Sequence, residues 1–168
     1  MPSATIVGVD HLPINHHLRP LYRVLAFLTG VYILVFGILG YVKSKGLETF
    51  AQPNDADLPR VLWLDANPAF SILSIVVGAV VVLAVIVGRN VDFYVNLLAG
   101  SVFLLASMAM MALLHTDLNY LGFTMATCIA SMILGLIMFT AGLYGRVGSS
   151  EREAAAEAHR HGQTVTDH

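Results

Sequence analysis

Charged residues are scarce in this sequence, and their scarcity sets its class. Only 12% of the 168 residues are Asp, Glu, Lys or Arg, whereas 57% are hydrophobic. A typical soluble domain has about 25% charged residues. The formal net charge of −2 is too small to favour nucleic acid or an acidic partner. We therefore expect the lipid bilayer to surround most of the chain, with no nucleic-acid partner.

Clusters of metal-ligating or catalytic residues are also missing. The one cysteine, Cys128, lies in an apolar run, so it has no intrachain disulfide partner and no companions for a zinc site. The histidines at 11, 16 and 17 and at 159, 161 and 168 lie in short polar tails. They could bind a metal or sense pH, but solvated tails are the favoured interpretation. The sequence predicts no catalytic residue, no metal, no cofactor and no enzymatic activity.

Long apolar runs are what the sequence has instead. A helix needs about 20 apolar residues to cross the hydrocarbon core. Four stretches have this length, and none carries Asp, Glu, Lys or His near its middle: residues 21–42, 68–88, 91–114 and 118–145. Backbone groups in lipid must be satisfied within the segment, and the alternation of a β-barrel strand is absent. The predicted fold class is all-α, a four-helix transmembrane bundle over residues 21–145.

The links between these spans predict how they are arranged. Spans two and three are joined by about three residues, and so are spans three and four, so consecutive spans should be antiparallel neighbours in two hairpins. Residues 43–67 form the one long loop, and residues 1–20 and 146–168 form the tails. One side of the bilayer would hold six arginines, and the other would hold Lys43, Lys45 and Arg60. The positive-inside rule then places both tails in the cytoplasm and the long loop outside, in a multi-pass protein of the cell membrane.

Small residues predict the faces that pack together. Helices in lipid associate where small side chains allow close approach. The candidates recur at intervals of four or seven residues along the spans: Gly30, Gly37, Ser74, Gly78, Asn96, Gly100, Thr127, Ser131 and Gly135. In the long loop, Trp63 is predicted to anchor the chain at the membrane interface, although a docking patch for a partner is the alternative.

Polar residues at the ends of the spans leave further alternatives open. Asp92 and Asn96, close to Arg89, form either a cytoplasmic polar site or a helix N-terminus neutralised by Asp92. His115 with Asp117 is either a pH-sensitive pair or an exposed turn. No ionisable residue lies near the middle of a span, where a transporter or proton pump usually carries one.

Three stretches resemble a family of small actinobacterial four-helix membrane proteins that has no assigned activity. They are YRVLAFLTGVYILVFGILG at 22–40, NPAFSILSIVVG at 67–78 and LNYLGF at 118–123. The resemblance covers roughly residues 21–148. Similar four-helix proteins also occur as accessory subunits of actinobacterial respiratory supercomplexes, and this likeness implies a comparable role.

The sequence therefore favours a non-enzymatic structural or accessory subunit that docks onto a larger membrane complex or onto itself. The alternative is a carrier of small molecules or lipids, with a cavity lined by Asn96, Thr127, Ser131 and Thr140. A weaker alternative is a membrane stress or pH sensor that uses His16, His17 and His115.

Overall fold

The part of the chain that the structure describes folds into four long helices and one short β-hairpin. The structure, a computed structural model, describes residues 17–53 and 57–148. The helices are α1 (Arg19–Lys43), α2 (Pro68–Val87), α3 (Val91–Leu113) and α4 (Met125–Leu143). Strands β1 (Arg60–Val61) and β2 (Leu64–Asp65) pair antiparallel. Each helix is long and apolar enough to cross a membrane, which confirms the predicted all-α membrane class. Most of both predicted tails lies outside the described residues.

Local sequence signals explain where α2 begins and ends. Pro68 stands at the first helical position, where its missing N–H costs no hydrogen bond. The side chain of Asn67 caps the helix by accepting a hydrogen bond from the Phe70 N–H at 2.8 Å. Gly88, Arg89 and Asn90 then have positive φ values of 66°, 49° and 70°. This left-handed run reverses the chain and starts α3 at once.

The start of α4 differs from the prediction. The sequence placed span four from residue 118, but α4 begins at Met125. Asn119 is 1% exposed, and its side chain exchanges hydrogen bonds with the backbone N–H and C=O of Phe123, at 2.8 and 2.9 Å. Thr124 then caps the helix by accepting a hydrogen bond from the Thr127 N–H. The side chain of Asn119 therefore closes a turn in a stretch that is apolar enough to read as helix.

Close antiparallel packing joins α1 to α2 and α3 to α4. A Cβ placed on Gly30 would meet Val81, and one placed on Gly40 would meet Ser71. The two helices therefore run in opposite directions. A Cβ on Gly142 would come within 2.6 Å of the backbone nitrogen of Leu97, across the α3–α4 contact. Helix α2 also contacts α3, and α1 contacts α4, but less extensively. These contacts complete the bundle.

Apolar side chains from all four helices fill the space between the two pairs. Ile33, Val81 and Met138 are at most 3% exposed and pack with partly buried side chains of α3. Towards the end of α1 at Lys43, the rings of Phe36, Phe70 and Phe123 form a second cluster. Apolar side chains are thus packed between the helices in two clusters.

The β-hairpin packs into the bundle, although the sequence placed the whole of residues 43–67 in an external loop. Val61 and Leu64 are 2% and 7% exposed, and they join the cluster that contains Phe36 of α1 and Cys128 of α4. The strands contact α1 and α4, so the hairpin lies between these two helices. The reason is that both inward-facing residues of the hairpin are apolar, so that removing their side chains from water lowers the free energy of the folded chain.

Candidate functional site

A charged cluster ties all four helices together at one end of the bundle. We call this the Arg19 end, where α1 and α3 begin and α2 and α4 finish; the opposite end is the Lys43 end. Asp92 in the first turn of α3 is 2% exposed. Its Oδ2 atom lies 3.4 Å from Arg23 Nε and 3.7 Å from Arg19 Nη2. A buried carboxylate is thus held between two arginines of α1.

The same arginines donate hydrogen bonds to carbonyl groups where α2 and α4 finish. Arg23 Nη2 donates to the carbonyl of Val85 at 2.6 Å, and Arg19 Nε donates to the carbonyl of Gly145 at 3.2 Å. The last carbonyls of a helix lack intrahelical partners and carry partial negative charge. Positive side chains are therefore stabilising there, as Asp92 is at the start of α3.

Gly88 leaves room for the Arg23 guanidinium. A Cβ on Gly88 would lie 3.2 Å from Arg23 Nη2, and the residue has a φ of 66°, which glycine tolerates best. A side chain at this position would crowd the guanidinium against the end of α2.

Further contacts fasten α4 to the rest of the Arg19 end. The Asn90 side chain donates to the Val147 carbonyl at 3.0 Å and accepts from the Val147 N–H at 2.6 Å. The rings of Tyr22 and Tyr144 stack with centroids 4.9 Å apart. These contacts hold the short segment directly after α4 against α1 and the α2–α3 turn.

Three buried polar atoms in the cluster make no hydrogen bond with any residue that the structure describes: Arg23 Nε, Asp92 Oδ2 and Asn96 Oδ1. The first two face each other as an ion pair. The other atoms of these groups are used locally, since Asp92 Oδ1 accepts from the Phe93 N–H and Asn96 Nδ2 donates to the Asp92 carbonyl. The arrangement suits a structural role, in which ion pairs and hydrogen bonds hold the helix ends together.

The sequence pointed to part of this cluster and missed its centre. It grouped Asp92 and Asn96 with Arg89, whereas the ion pairs come from Arg19 and Arg23. Asp92 also binds the N–H of the next residue, as the neutralised helix N-terminus would require. The available signal was that α1 and α3 begin at the same membrane edge, which brings their first turns to one level.

The residues predicted for helix packing are buried. In the α1–α2 contact these are Gly30, Gly37, Ser74 and Gly78, and in the α3–α4 contact Gly100, Thr127, Ser131 and Gly135. A Cβ on Gly37 would come within 2.6 Å of the Ile75 backbone nitrogen. Asn96 is also buried, but it belongs to the charged cluster rather than to a glycine-lined contact.

At the Lys43 end, buried asparagines join the loops. The Asn67 side chain caps α2 and also donates to the carbonyls of Ala51 and Tyr120, at 3.0 and 3.1 Å. The cap is a contact within the helix end, whereas the other two partners come from distant loops. His115 and Asp117 lie exposed in the turn after α3, and His16 lies outside the described residues.

Trp63, the predicted interface anchor, lies at the tip of the β-hairpin and is 86% exposed. Both tip residues, Leu62 and Trp63, have positive φ values, 45° and 74°. The carbonyl of Leu62 accepts a hydrogen bond from the Tyr32 hydroxyl at 3.1 Å. The tip is thus fixed to α1, while its indole faces outward.

Within residues 17–53 and 57–148, no three His, Cys, Asp or Glu side chains converge in a way that could hold a metal ion. A surface depression of about 270 Å³ lies at the Lys43 end, with Tyr41, Ser44, Lys45 and Ile72 among its lining residues. It does not include any of the residues that the sequence proposed for a cavity between the helices.

Four apolar, membrane-length helices with charge concentrated at their ends define a multi-pass membrane protein. The chain belongs to the family described as a domain of unknown function, DUF4383, whose profile matches residues 23–144. The matched region runs from Arg23 to Tyr144 and so contains α2, α3 and α4 entirely. No curated protein and no solved structure matches the chain.

Proposed function

We propose that this protein is a non-enzymatic structural or accessory subunit, which binds a larger membrane complex through the outward face of α3. The observation that carries the proposal is the unequal burial of the helices. In the apolar stretch of α3, 17% of residues are buried, against 39% in each of the other three helices. Helix α3 therefore leaves the largest share of its surface for contacts outside the chain.

The exposed residues of α3 form a continuous stripe. They recur at intervals of three or four residues, which places them on one side of the helix. They are between 53% and 69% exposed: Tyr94, Leu98, Val102, Leu105 and Met108. We call this set the α3 stripe. Leucine and methionine side chains at this spacing fit between the side chains of a neighbouring transmembrane helix.

The filled interior supports a binding role over a transport role. A carrier would need Asn96, Thr127 and Ser131 around one cavity. Asn96 lies in the Arg19 end, whereas Thr127 lies in the first turn of α4 at the Lys43 end. All three residues are at most 6% exposed, and the geometry therefore gives the carrier alternative less support.

The orientation belongs to the same proposal. Arg19, Arg23, Arg89 and Arg146 lie at one end of the bundle, and Lys43, Lys45 and Arg60 lie at the other. We place the Arg19 end, with both chain termini, on the cytoplasmic side of the cell membrane. The resemblance noted above makes a respiratory supercomplex one candidate for the partner.

Co-purification from native membranes in a mild detergent tests the proposal. We expect wild-type protein to retain a partner, and the double variant Leu98→Trp with Leu105→Trp to lose it. The matched control is Leu83→Trp with Ile86→Trp on α2, which changes side chains that are 60% and 65% exposed. A protein that migrates alone in every detergent, or equal loss in the control, would contradict the proposal.

A further inference from the structure

The tip of the β-hairpin lies well below the end of α1. The Tyr32 hydroxyl binds the Leu62 carbonyl, and Tyr32 precedes Lys43, the last residue of α1, by 11 positions. This separation places the two Cα atoms about 16 Å apart along the helix axis. The tyrosine side chain is much shorter than this distance, so the tip lies several ångströms inside the bundle from the Lys43 level.

That level corresponds to one surface of the hydrocarbon core. The stretch of α1 from Arg23 to Lys43 spans about 30 Å, which is the thickness of the core. With Arg23 at one surface, Lys43 lies at the other, and Tyr32 lies near the middle. The hairpin tip therefore reaches from the Lys43 surface into the hydrocarbon layer.

The base of the hairpin is charged and its sides are buried. Arg60 Nε lies 3.8 Å from Asp65 Oδ1, and Lys43 Nζ donates to the Arg60 carbonyl at 3.5 Å. Between base and tip, Val61 and Leu64 pair with each other and pack against the helices. Non-helical backbone occurs at membrane depth where it is buried in protein and its polar groups are satisfied. Here strand pairing supplies partners for the strand residues, and the Tyr32 hydroxyl supplies one for the Leu62 carbonyl.

The tip keeps Trp63 outward in spite of an unfavourable backbone. A two-residue turn with positive φ at both positions normally uses Asn-Gly, whereas this one uses Leu62 and Trp63. A bulky residue in the left-handed region strains the backbone. Such strain persists because the buried sides of the hairpin hold it. The result is the most exposed large apolar side chain of the described residues, at 86%.

We infer that residues 60–65 form a re-entrant hairpin, whose tip binds the acyl chains and glycerol esters of the surrounding phospholipid through Trp63. The indole ring is apolar and its N–H is a hydrogen-bond donor, which matches the layer where esters meet acyl chains. On α1 and α4, the two helices that the hairpin contacts, exposed residues such as Val35 and Ile129 are apolar. The inference does not depend on the proposed docking role.

The fluorescence of Trp63 provides the test, because it is the one tryptophan in the chain. The full chain is reconstituted in phosphatidylcholine vesicles. Quenching is then compared between aqueous iodide and phosphatidylcholine brominated on its acyl chains. We expect a blue-shifted emission and strong quenching by the brominated lipid. Quenching by iodide should be severalfold weaker than quenching by the brominated lipid.

Two reference proteins calibrate the measurement, both in a Trp63→Phe background. Asp117→Trp reports an exposed turn, and Val35→Trp reports the lipid-facing side of α1 near the tip. Wild-type quenching should match Val35→Trp. Quenching that matches Asp117→Trp would overturn the inference and place the hairpin in water. Blue-shifted emission with no response to either quencher would also overturn it, because a protein surface would then cover Trp63.

Discussion

Replacing Gly78 with alanine tests the close packing of α1 against α2. A Cβ on Gly78 would lie 2.5 Å from the backbone nitrogen of Leu34 and 2.7 Å from its Cα. Both atoms belong to the backbone of α1, so a side-chain rotation cannot remove the overlap. The two helices must separate, and the neighbouring contacts between them must loosen.

The size of the effect follows from two opposing terms. Overpacking a well-filled contact typically costs about 1–3 kcal/mol. Alanine is a better helix former than glycine by roughly 1 kcal/mol, which offsets part of that cost. We therefore expect Gly78→Ala to lower the free energy of unfolding by up to about 2 kcal/mol. At a helix position with open space around it, a Gly→Ala substitution would instead be expected to raise the free energy of unfolding.

Gly30 offers a matched comparison on the other helix. A Cβ there would lie 2.8 Å from Cγ1 of Val81, which is a side-chain atom. Truncating Val81 to alanine should therefore relieve the overlap created by Gly30→Ala. Truncating Leu34 should not relieve the overlap created by Gly78→Ala.

Double-mutant cycles measured by unfolding in mixed micelles separate these cases. For the pair Gly30→Ala and Val81→Ala we expect a favourable coupling of about 1 kcal/mol, and for Gly78→Ala and Leu34→Ala we expect none within the error. A stabilising Gly78→Ala variant, or equal coupling in both cycles, would refute the reasoning.

Three further predictions concern the ends of the bundle and the hairpin tip. Asp92→Asn should lower the free energy of unfolding by about 1–3 kcal/mol, since it leaves Arg19 and Arg23 without their counter-charge; thermal unfolding in detergent should show no loss if the ion pairs are unimportant. Asn67→Ala should cost about 2–3 kcal/mol, because a helix cap and two hydrogen bonds to loops disappear together; a loss no larger than that of an isolated cap would argue against the loop contacts. Trp63→Gly should be more stable than Trp63→Ala by about 1–2 kcal/mol, since the position has positive φ; the usual preference for alanine, seen in the same melts, would disprove the strained turn.

The sequence predicts the four helices because hydrophobicity acts segment by segment. Burial of about 20 apolar residues in lipid is decided within each stretch, without reference to the others. The start of α2 is likewise set locally, since Asn67 and Pro68 act on their own helix. The start of α4 was not readable, because the turn closed by Asn119 interrupts a stretch that is otherwise apolar.

The charged cluster shows why a candidate site was only partly predictable. Polar residues inside a span are costly, so Asp92 and Asn96 stood out in the sequence. The sequence pointed to Arg89, which is nearest in the chain, because sequence alone does not distinguish among the four arginines at the same membrane edge. The choice of Arg19 and Arg23 depends on the rotation of α1 about its axis, which packing against α2 and α4 decides.

The sequence by itself determined that this chain has four apolar helices of membrane-spanning length. Tertiary structure alone decided that Asp92 pairs with two arginines of α1 and that the segment around Trp63 enters the bundle. The physical reason is one of range. Transfer of a segment into lipid depends on its own composition, whereas ion pairs and wedged hairpins depend on groups brought together from distant parts of the chain.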